Sequence, residues 1–286
     1  MRWTFILVLA ASLGIAAAPA LAQGDAGVSV HDQRLAIQLA GRTFNLAARV
    51  FRPAGAGPFP LAVINHGTPV DAQDAVKERL GYTKGARWFV SHGFVVVVAL
   101  RPGFGDSDGP YLEGAGPCDD RDYVHAGRAT GEIERAIVES AVRLPQVDPT
   151  RIVVVGQSAG GFGVIALADA PPPGVVGVIS FAGGRGGDDH EHICSGVARL
   201  AQAAKVFGAA NRVQQLWLYA ANDHFFNPQV AHALYEAYSA GSQPAVRFVG
   251  LPPFDGDGHR TFGEADPSVW ALYAVQFLAQ VMSPGT

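Results

Sequence analysis

The sequence predicts an α/β protein built on a doubly wound, mostly parallel eight-stranded sheet with helices on both faces. Short, continuous apolar runs recur along the chain, which is typical of strands that are covered on both faces. Segments with helical periodicity lie between these runs, so strand and helix alternate. The composition agrees, because 49% of the residues are hydrophobic, 16% are charged, and 35 Gly and 19 Pro supply many turns.

The first two strands are expected to form a hairpin at one edge of the sheet. Residues 35–40 and 44–51 alternate apolar and polar side chains around a short turn, which is the pattern of a half-exposed antiparallel pair. Six apolar runs then predict strands that begin at Leu61, Phe94, Arg151, Val175, Gln215 and Val246. The clearest helical segments are residues 132–144, 159–169, 197–207, 230–238 and 268–281. In such sheets the ligand site lies beyond the carboxyl ends of the strands.

The amino-terminal segment has the features of a signal peptide. Arg2 supplies a positive charge, residues 3–18 are apolar, and Ala20-Leu21-Ala22 has the small-residue pattern that signal peptidase cleaves. The alternative is a membrane anchor, but the apolar run is shorter than the roughly 20 residues that span a bilayer. We therefore expect residues 1–22 to be removed, which leaves residues 23–286 as a single domain in the periplasm or the medium, with no membrane span.

The charge of the chain argues against nucleic acid as a partner. The sequence has 21 Lys and Arg against 25 Asp and Glu, a formal charge of −4, and no basic run. Nucleic-acid binding requires a concentrated positive surface, which this pattern does not supply. The oligomeric state does not follow from the sequence.

The two cysteines are expected to pair. An exported protein meets an oxidising compartment, in which Cys118 and Cys194 can form one disulfide. The alternative is two free buried thiols. Each cysteine belongs to a long loop at the predicted ligand edge, residues 101–125 and 182–195, and long loops at such an edge often cover a site. A disulfide would join the two loops near the mouth of a pocket and restrict the unfolded chain by roughly 4 kcal/mol.

Ser158 is the candidate nucleophile. The run that begins at Arg151 leads into Gly156-Gln157-Ser158-Ala159-Gly160 and then into a helical segment. This order, strand, Gly-x-Ser-x-Gly and helix, predicts a sharp turn that exposes the serine oxygen at the end of the sheet. Residues 105–109 match the same pattern but lead into a loop, so we interpret Ser107 as a turn residue. The alternative for Ser158 is a small residue in a tight turn.

A serine nucleophile needs a base and a group that orients the base. Asp223 follows the run that begins at Gln215, so it lies at the same edge of the sheet as Ser158 and is the candidate acid. His259 lies in a loop after the last predicted strand and is the candidate base. Asp255 and Asp257 remain alternatives for the acid, although neither follows the penultimate strand.

Acyl transfer also needs N–H donors for the oxyanion of the intermediate. The backbone N–H of Ala159, directly after the nucleophile, is one candidate. The turn after the first parallel strand offers a second candidate, the N–H of Thr68, with Gly67 allowing close approach of the backbone. We expect His66 in this turn to have a structural role.

The substrate pocket and a metal site are less well specified. The candidate pocket residues are Phe104, Phe162, Phe225 and Phe226, for which a core position is the alternative. Residues 188–192 (Asp-Asp-His-Glu-His) could hold a metal, but their spacing matches no specific zinc motif. We therefore favour a solvated polar loop and expect neither a metal nor another cofactor.

Together these motifs resemble the α/β-hydrolase superfamily, and within it the dienelactone-hydrolase-like and prolyl-oligopeptidase-like branches. The resemblance spans residues 44–282. It is carried by Asn65-His66-Gly67, by residues 101–107, by the Ser158 motif, and by Asn222-Asp223 and Gly258-His259. It implies Ser158 as nucleophile, Asp223 as acid and His259 as base. Dienelactone hydrolases proper use a cysteine nucleophile, so the serine argues against transferring their substrate.

The sequence thus predicts an exported serine hydrolase that cleaves a small-molecule carboxylic ester through an acyl-enzyme. A peptidase or amidase that acts on small substrates is the alternative, because the same three residues serve both reactions. A catalytically silent binding module on the same scaffold is a further alternative, because a fold alone does not prove activity.

Overall fold

A computed structural model describes residues 27–283, so the predicted signal peptide lies outside the described residues. Eight strands form one sheet in the order β1-β2-β4-β3-β5-β6-β7-β8, which confirms the predicted fold class. The strands are β1 (Ser29–Leu39), β2 (Arg42–Arg52), β3 (Phe59–Asn65), β4 (Val95–Ala99), β5 (Val147–Gln157), β6 (Val175–Phe181), β7 (Gln214–Ala220) and β8 (Val246–Leu251). The helices are α1 (Thr83–Ser91), α2 (Tyr123–Ala141), α3 (Ala159–Leu167), α4 (Val197–Ala210), α5 (Pro228–Ser239), α6 (Thr261–Glu264) and α7 (Ala271–Val281).

The sheet is antiparallel at one edge and parallel elsewhere. Strands β1 and β2 form the predicted hairpin, and β2 also runs antiparallel to β4. All further pairs, from β4-β3 to β7-β8, are parallel. Every residue of β4 is buried, as expected for a valine-rich strand with helices on both sides. The carboxyl ends of the six parallel strands therefore meet at one edge of the sheet.

Apolar side chains fill a core on each face. One core packs α1, α6 and α7 against the sheet and includes Phe89, Phe262 and Trp270. The opposite core packs α2 to α5 and includes Phe162 and Phe207. Within residues 27–283, no helix combines the length and the apolar character that crossing a bilayer requires.

Helices α1 and α2 differ from the sequence prediction, which also lacks the four-residue α6. Helix α2 begins at Tyr123 instead of residue 132, with Asp122 as its N-cap, whose side chain accepts a hydrogen bond from His125 N (2.9 Å). Its first half contains Gly127 and Gly131, which are poor helix formers but allow close packing against Phe207 and α3. Helix α1 is absent from the prediction because no side chain caps it and Gly85 interrupts the pattern.

Glu134 on α2 is an uncompensated acid in the core. Its side chain is fully buried, and neither carboxyl oxygen has a hydrogen-bond partner. The carboxyl group faces α3 so closely that a methyl group on Gly163 would lie 2.7 Å from both oxygens. Burial raises the pKa of Glu134 well above its ordinary value of 4.5, because the charged form would lose its hydration. Burial therefore favours the protonated, uncharged form of Glu134 in the folded protein.

This raised pKa makes stability depend on pH. Above the unfolded-state pKa, folding takes up a proton at Glu134, so the free energy of unfolding decreases as the pH rises towards the folded-state pKa. Glu134→Gln cannot titrate, so its stability relative to the parent protein should increase from pH 5 to pH 8, by at most about 1.4 kcal/mol per pH unit. Urea unfolding at several pH values measures this difference. Glu139→Gln, at an exposed position on the same helix, is the control. Parallel pH profiles of stability for Glu134→Gln and the parent would contradict the raised pKa of Glu134.

Candidate active site

Ser158 occupies a strained turn between β5 and α3. Its backbone has φ 57° and ψ −123°, a conformation that is rare for a residue with a side chain. Glycine is required on both sides of Ser158, because any side chain there would clash with a main-chain oxygen. A methyl group on Gly156 would lie 2.3 Å from Gly160 O, and one on Gly160 would lie 2.4 Å from His66 O. The turn is thus the geometry that the Gly-x-Ser-x-Gly motif requires.

Asp223 and His259 form a buried pair at the same edge of the sheet. His259 Nδ1 lies 3.1 Å from Asp223 Oδ1 and 3.2 Å from Oδ2. Because a carboxylate only accepts hydrogen bonds, Nδ1 carries the proton, which leaves Nε2 free to accept one. Asp223 is itself fixed, since its Oδ1 accepts from the backbone N–H groups of Phe225 (2.9 Å) and Phe226 (2.8 Å).

The two alternative acids have other partners. Asp257 Oδ1 accepts from the backbone N–H groups of His259 (2.9 Å) and His224 (3.2 Å), so it shapes the loop and does not contact the imidazole. Asp255 lies 3.7 Å from Arg260 on the surface. Among the three candidate acids, only Asp223 contacts the His259 ring.

A polar network attaches the His259 loop to the Ser158 turn. Gln157 Nε2 donates to the main-chain oxygen of His259 (2.8 Å), and its Oε1 accepts from Tyr82 OH (2.6 Å). Tyr82 OH in turn accepts from Gly67 N (3.3 Å). The three segments that carry the candidate site are therefore connected through two side chains, Gln157 and Tyr82. Ser158 Oγ makes no hydrogen bond to any residue within 27–283.

The two residues whose N–H groups are predicted to bind an oxyanion, Ala159 and Thr68, line the same cavity as Ser158. Ala159 is the first residue of α3, so its N–H has no acceptor within the helix. Thr68 lies in the turn after β3 and lines the same cavity as Ser158 and Ala159. Gly67 faces the nucleophile, because a methyl group there would lie 3.4 Å from Ser158 Oγ.

Arg101 holds the turn that contains Thr68. Its buried guanidinium donates to the main-chain oxygens of His66 (2.6 Å) and Gly67 (3.2 Å) and to Thr68 Oγ1 (3.3 Å). His66 also stabilises this turn, since its Nε2 accepts from Arg101 N (3.0 Å) and its Nδ1 donates to Gly67 O (2.6 Å). Burial, with a smaller contribution from Arg101, lowers the pKa of His66 to about 3, so it remains neutral. These contacts support the expected structural role of His66.

Glu113 links Arg101 to a second arginine. Its carboxylate, which is fully buried, accepts from Arg101 Nε on one side and from Arg185 Nη1 (3.3 Å) and Thr130 Oγ1 (3.0 Å) on the other. Arg185 Nη2 also donates to Tyr111 OH (2.7 Å). Burial alone would raise the pKa of Glu113, but Arg101 and Arg185 outweigh it and lower this pKa to about 2, so the carboxylate is charged.

A cavity of about 240 Å³ opens beside Ser158. Phe225 and Phe226, two of the four predicted pocket residues, line it, and both rings also pack against His259 with centroid distances of 4.2 and 5.6 Å. The structure corrects the other two positions. Phe104 and Phe162 are fully buried in the core and do not line this cavity, because Phe104 packs under the Arg101 guanidinium and Phe162 packs against α4.

Cys118 and Cys194 form a disulfide that joins the two loops of the cavity wall. Ser195 Oγ strengthens this junction by accepting from Arg121 N (2.8 Å) and donating to Cys118 O (2.9 Å). In residues 188–192, Asp188 accepts from the backbone N–H groups of His190 and His192, as in a polar turn. Within the described chain, Cys118, His192 and Cys194 form a cluster of possible metal ligands, but both of its sulfurs belong to the disulfide.

Five residues that organise the site were not predicted from the sequence: Tyr82, Arg101, Glu113, Gln157 and Arg185. Two of them carried a usable indication, since Arg101 closely follows a fully apolar strand and Gln157 directly precedes the nucleophile. The other three lie in irregular segments, where no periodic pattern marks a buried polar side chain.

Comparison with protein families identifies one match. The family model described as X-Pro dipeptidyl-peptidase (S15 family) matches residues 42–238, a range that contains Ser158 and Asp223 and ends before His259. No curated protein matches the chain significantly.

Several solved structures share the fold. A Pyrococcus furiosus esterase, Pf2001, has a TM-score of 0.63 at 14% identity, over 89% of this chain and 92% of its own. A Klebsiella pneumoniae protein described as a dienelactone hydrolase has a TM-score of 0.57 at 16% identity, over 88% of this chain and 99% of its own. Porphyromonas gingivalis dipeptidyl peptidase 4 has a TM-score of 0.60 at 17% identity, over 87% of this chain but 35% of its own. At these identities the similarity concerns the fold alone.

The disulfide should stabilise the two-loop wall of the cavity. Because it closes a loop between residues 76 positions apart, its removal should lower the free energy of unfolding by up to about 4 kcal/mol. The double variant Cys118→Ser/Cys194→Ser should therefore melt several degrees below the parent protein and lose part of its hydrolytic activity. A reducing agent should lower the melting temperature of the parent but not of the double variant. If reduction changed neither melting nor activity of the parent, the disulfide would not hold the wall.

Proposed function

The chain belongs to the X-Pro dipeptidyl-peptidase (S15) family and is a hydrolase of the α/β-hydrolase fold, and from this premise we propose that it is a serine hydrolase that cleaves a carboxylic ester through an acyl-enzyme. The observation that carries the proposal is the buried Asp223–His259 pair beside the strained Ser158 turn. A nucleophile, a base and a group that orients the base are thus at one edge of the sheet, next to a cavity.

In the proposed mechanism, His259 Nε2 removes the proton from Ser158 Oγ while this oxygen attacks the ester carbonyl carbon. Asp223 keeps the proton on Nδ1 and stabilises the imidazolium. Ser158 and His259 form no hydrogen bond with each other in residues 27–283, and we propose that this contact forms when substrate binds, as is common for catalytic contacts.

The N–H groups of Ala159 and Thr68 then bind the negative oxygen of the tetrahedral intermediate. The intermediate collapses, the carbon–oxygen bond to the alcohol breaks, and His259 returns its proton to the departing alcohol. Water, deprotonated by the same imidazole, attacks the acyl-enzyme, and the second collapse releases the acid and restores Ser158.

A peptidase is the second candidate, and the family match favours it, because the family is described as X-Pro dipeptidyl-peptidase. The same three residues would serve amide cleavage. Rates on an ester and on the matched anilide of the same acyl group distinguish the two activities.

We also propose that the protein is exported. The amino-terminal sequence supports this proposal, and the Cys118–Cys194 disulfide is consistent with an oxidising compartment.

A neutral fluorophosphonate should label the parent protein once, at Ser158. Intact mass measurement should show a single adduct, which Ser158→Ala should lose because Ser158 is the proposed nucleophile beside the Asp223–His259 pair. Ser107→Ala is a matched control, since Ser107 lies in the second Gly-x-Ser-x-Gly pattern but is committed to bonds with Leu100 O (2.6 Å) and Ala47 N (2.9 Å). This control should label like the parent. Absence of an adduct on well-folded parent protein would favour the binding module.

Arg101 should act as a positioning residue for the Thr68 N–H. Arg101→Met should lower the melting temperature, because Glu113 loses a buried partner. In the protein that remains folded, it should lower kcat on a neutral ester by up to about 100-fold with a small change in KM, because the lost contacts misplace a donor that acts on the transition state. Arg101→Lys should recover part of kcat, since its ammonium can still reach a carbonyl of the turn. Arg49→Met, which removes a surface ion pair with Asp32, is the control. A lower melting temperature with unchanged kcat would indicate a purely structural role.

A further inference from the structure

The cavity beside Ser158 is bounded by arginines and lacks a free acid. The charged residues that line it are Glu113, Arg121 and Arg185. They come from the two loops that the disulfide joins, so their side chains converge from both walls. The charges of these side chains influence which substrates the cavity accepts.

Arg185 has only part of its hydrogen-bonding capacity in use. Its Nη1 and Nη2 atoms donate to Glu113, Thr130 and Tyr111. Its Nε makes no hydrogen bond to any described residue, and 7% of the residue remains exposed at the cavity. One N–H of a guanidinium that is otherwise immobilised is therefore left without an acceptor.

Arg121 is less well paired than Arg185. It donates through Nη1 to the main-chain oxygen of Gly116, and its Nη2 lies 3.9 Å from Cys194 Sγ, a weak acceptor. Its Nε is buried and has no partner. Arg121 forms no ion pair with any residue in the described range 27–283. Its guanidinium is thus held by a main-chain oxygen and a sulfur, and not by a carboxylate.

The charges around the cavity do not balance. Among the charged residues that line it, Arg121 and Arg185 supply two positive charges, and the Glu113 carboxylate, which Arg101 also contacts, supplies one negative charge. Glu134 lies behind the same wall, and its burial without a hydrogen-bond partner raises its pKa and so favours its uncharged form. A partly enclosed site with excess positive charge attracts an anion and disfavours a cation, since both effects are stronger away from bulk water.

We propose that this cavity is an acyl subsite for a carboxylate, so that the enzyme prefers esters whose acyl chain ends in a negatively charged group. This inference rests on the proposed function and names its substrate class. The position of the base indicates which half of the ester enters the cavity. His259 delivers its proton to the departing alcohol. His259 does not line the cavity, because Phe225 and Phe226 lie between its ring and the cavity. The acyl group therefore occupies the cavity, and the alcohol leaves on the side of His259.

The same charge disfavours the reaction that describes the family. An X-Pro dipeptide released from a peptide amino terminus carries an ammonium group on its acyl portion. That ammonium would enter a cavity with excess positive charge and would find Glu113 already occupied by two arginines. We therefore expect dipeptide substrates with a free amino terminus to be poor.

Matched pairs of ethyl esters test the proposal. Monoethyl succinate, glutarate and adipate are compared with ethyl butyrate, valerate and hexanoate, respectively. The leaving group is ethanol in every case, so each pair differs in the terminal carboxylate. A pH-stat follows the hydrolysis. At least one charged ester should exceed its neutral partner in kcat/KM by about ten-fold or more, since a charge-assisted hydrogen bond typically contributes a factor of this size.

Arg121→Gln is the diagnostic variant, because Arg121 is partly exposed and makes no ion pair with a described residue. Replacing buried Arg185 would instead remove one partner of Glu113 and endanger folding. Arg121→Gln should bring the ratio of charged to neutral rates close to one. Arg143→Gln, which removes an exposed arginine at the far end of α2, should keep the parent ratio.

The outcomes separate this inference from the proposed function. Fluorophosphonate labelling of Ser158 together with equal or reversed ester preference would overturn the subsite and leave the serine hydrolase intact. Without labelling or ester turnover the proposed function fails, and calorimetric titration with glutarate then judges the subsite. Binding that Arg121→Gln weakens about ten-fold would support the subsite, and binding that is absent or equal in both proteins would overturn it.

Discussion

The carboxylate of Glu113 is the interaction on which the arrangement of the site depends. It lies fully buried between Arg101 and Arg185 and also accepts from Thr130 on α2. Burying such charges is costly, and the pairing repays this cost only when geometry and additional hydrogen bonds are favourable. Removing one partner would leave an uncompensated charge in the core. The network therefore favours one arrangement of the loops.

The loops at the carboxyl ends of the strands are positioned in two ways. The sheet fixes where each loop begins, because β3 to β8 end at one edge. The course of each loop depends on polar contacts: Arg101 with the turn that contains Thr68, Gln157 with the His259 loop, and the disulfide with the outer wall. The core thus provides the scaffold, and a few buried polar groups convert it into a candidate site with defined donors and acceptors.

The features that the sequence predicted are those with a local pattern. Apolar runs revealed the parallel strands, and glycines around Ser158 marked a turn in which any larger residue would clash. The acid remained open between Asp223 and its alternatives, because only tertiary structure decides which carboxylate reaches the His259 ring. The start of α2 was missed because Gly127 and Gly131 lower helix propensity where packing requires small residues. Buried ion pairs between loops leave no periodic trace at all.

The positioning network and the charge of the cavity have a common origin. Holding the Thr68 turn against Ser158 uses one buried arginine, and fixing the opposite wall uses another, but a single carboxylate, Glu113, serves both. Because burial favours the uncharged form of Glu134, it compensates little of the remaining charge. Arg121 adds a further positive charge at the cavity, and the unused N–H groups of Arg121 and Arg185 are the donors that an anion would meet. The proposed preference for a carboxylate thus follows in part from how the loops are held together, because Arg185 both fixes the wall and contributes charge to the cavity.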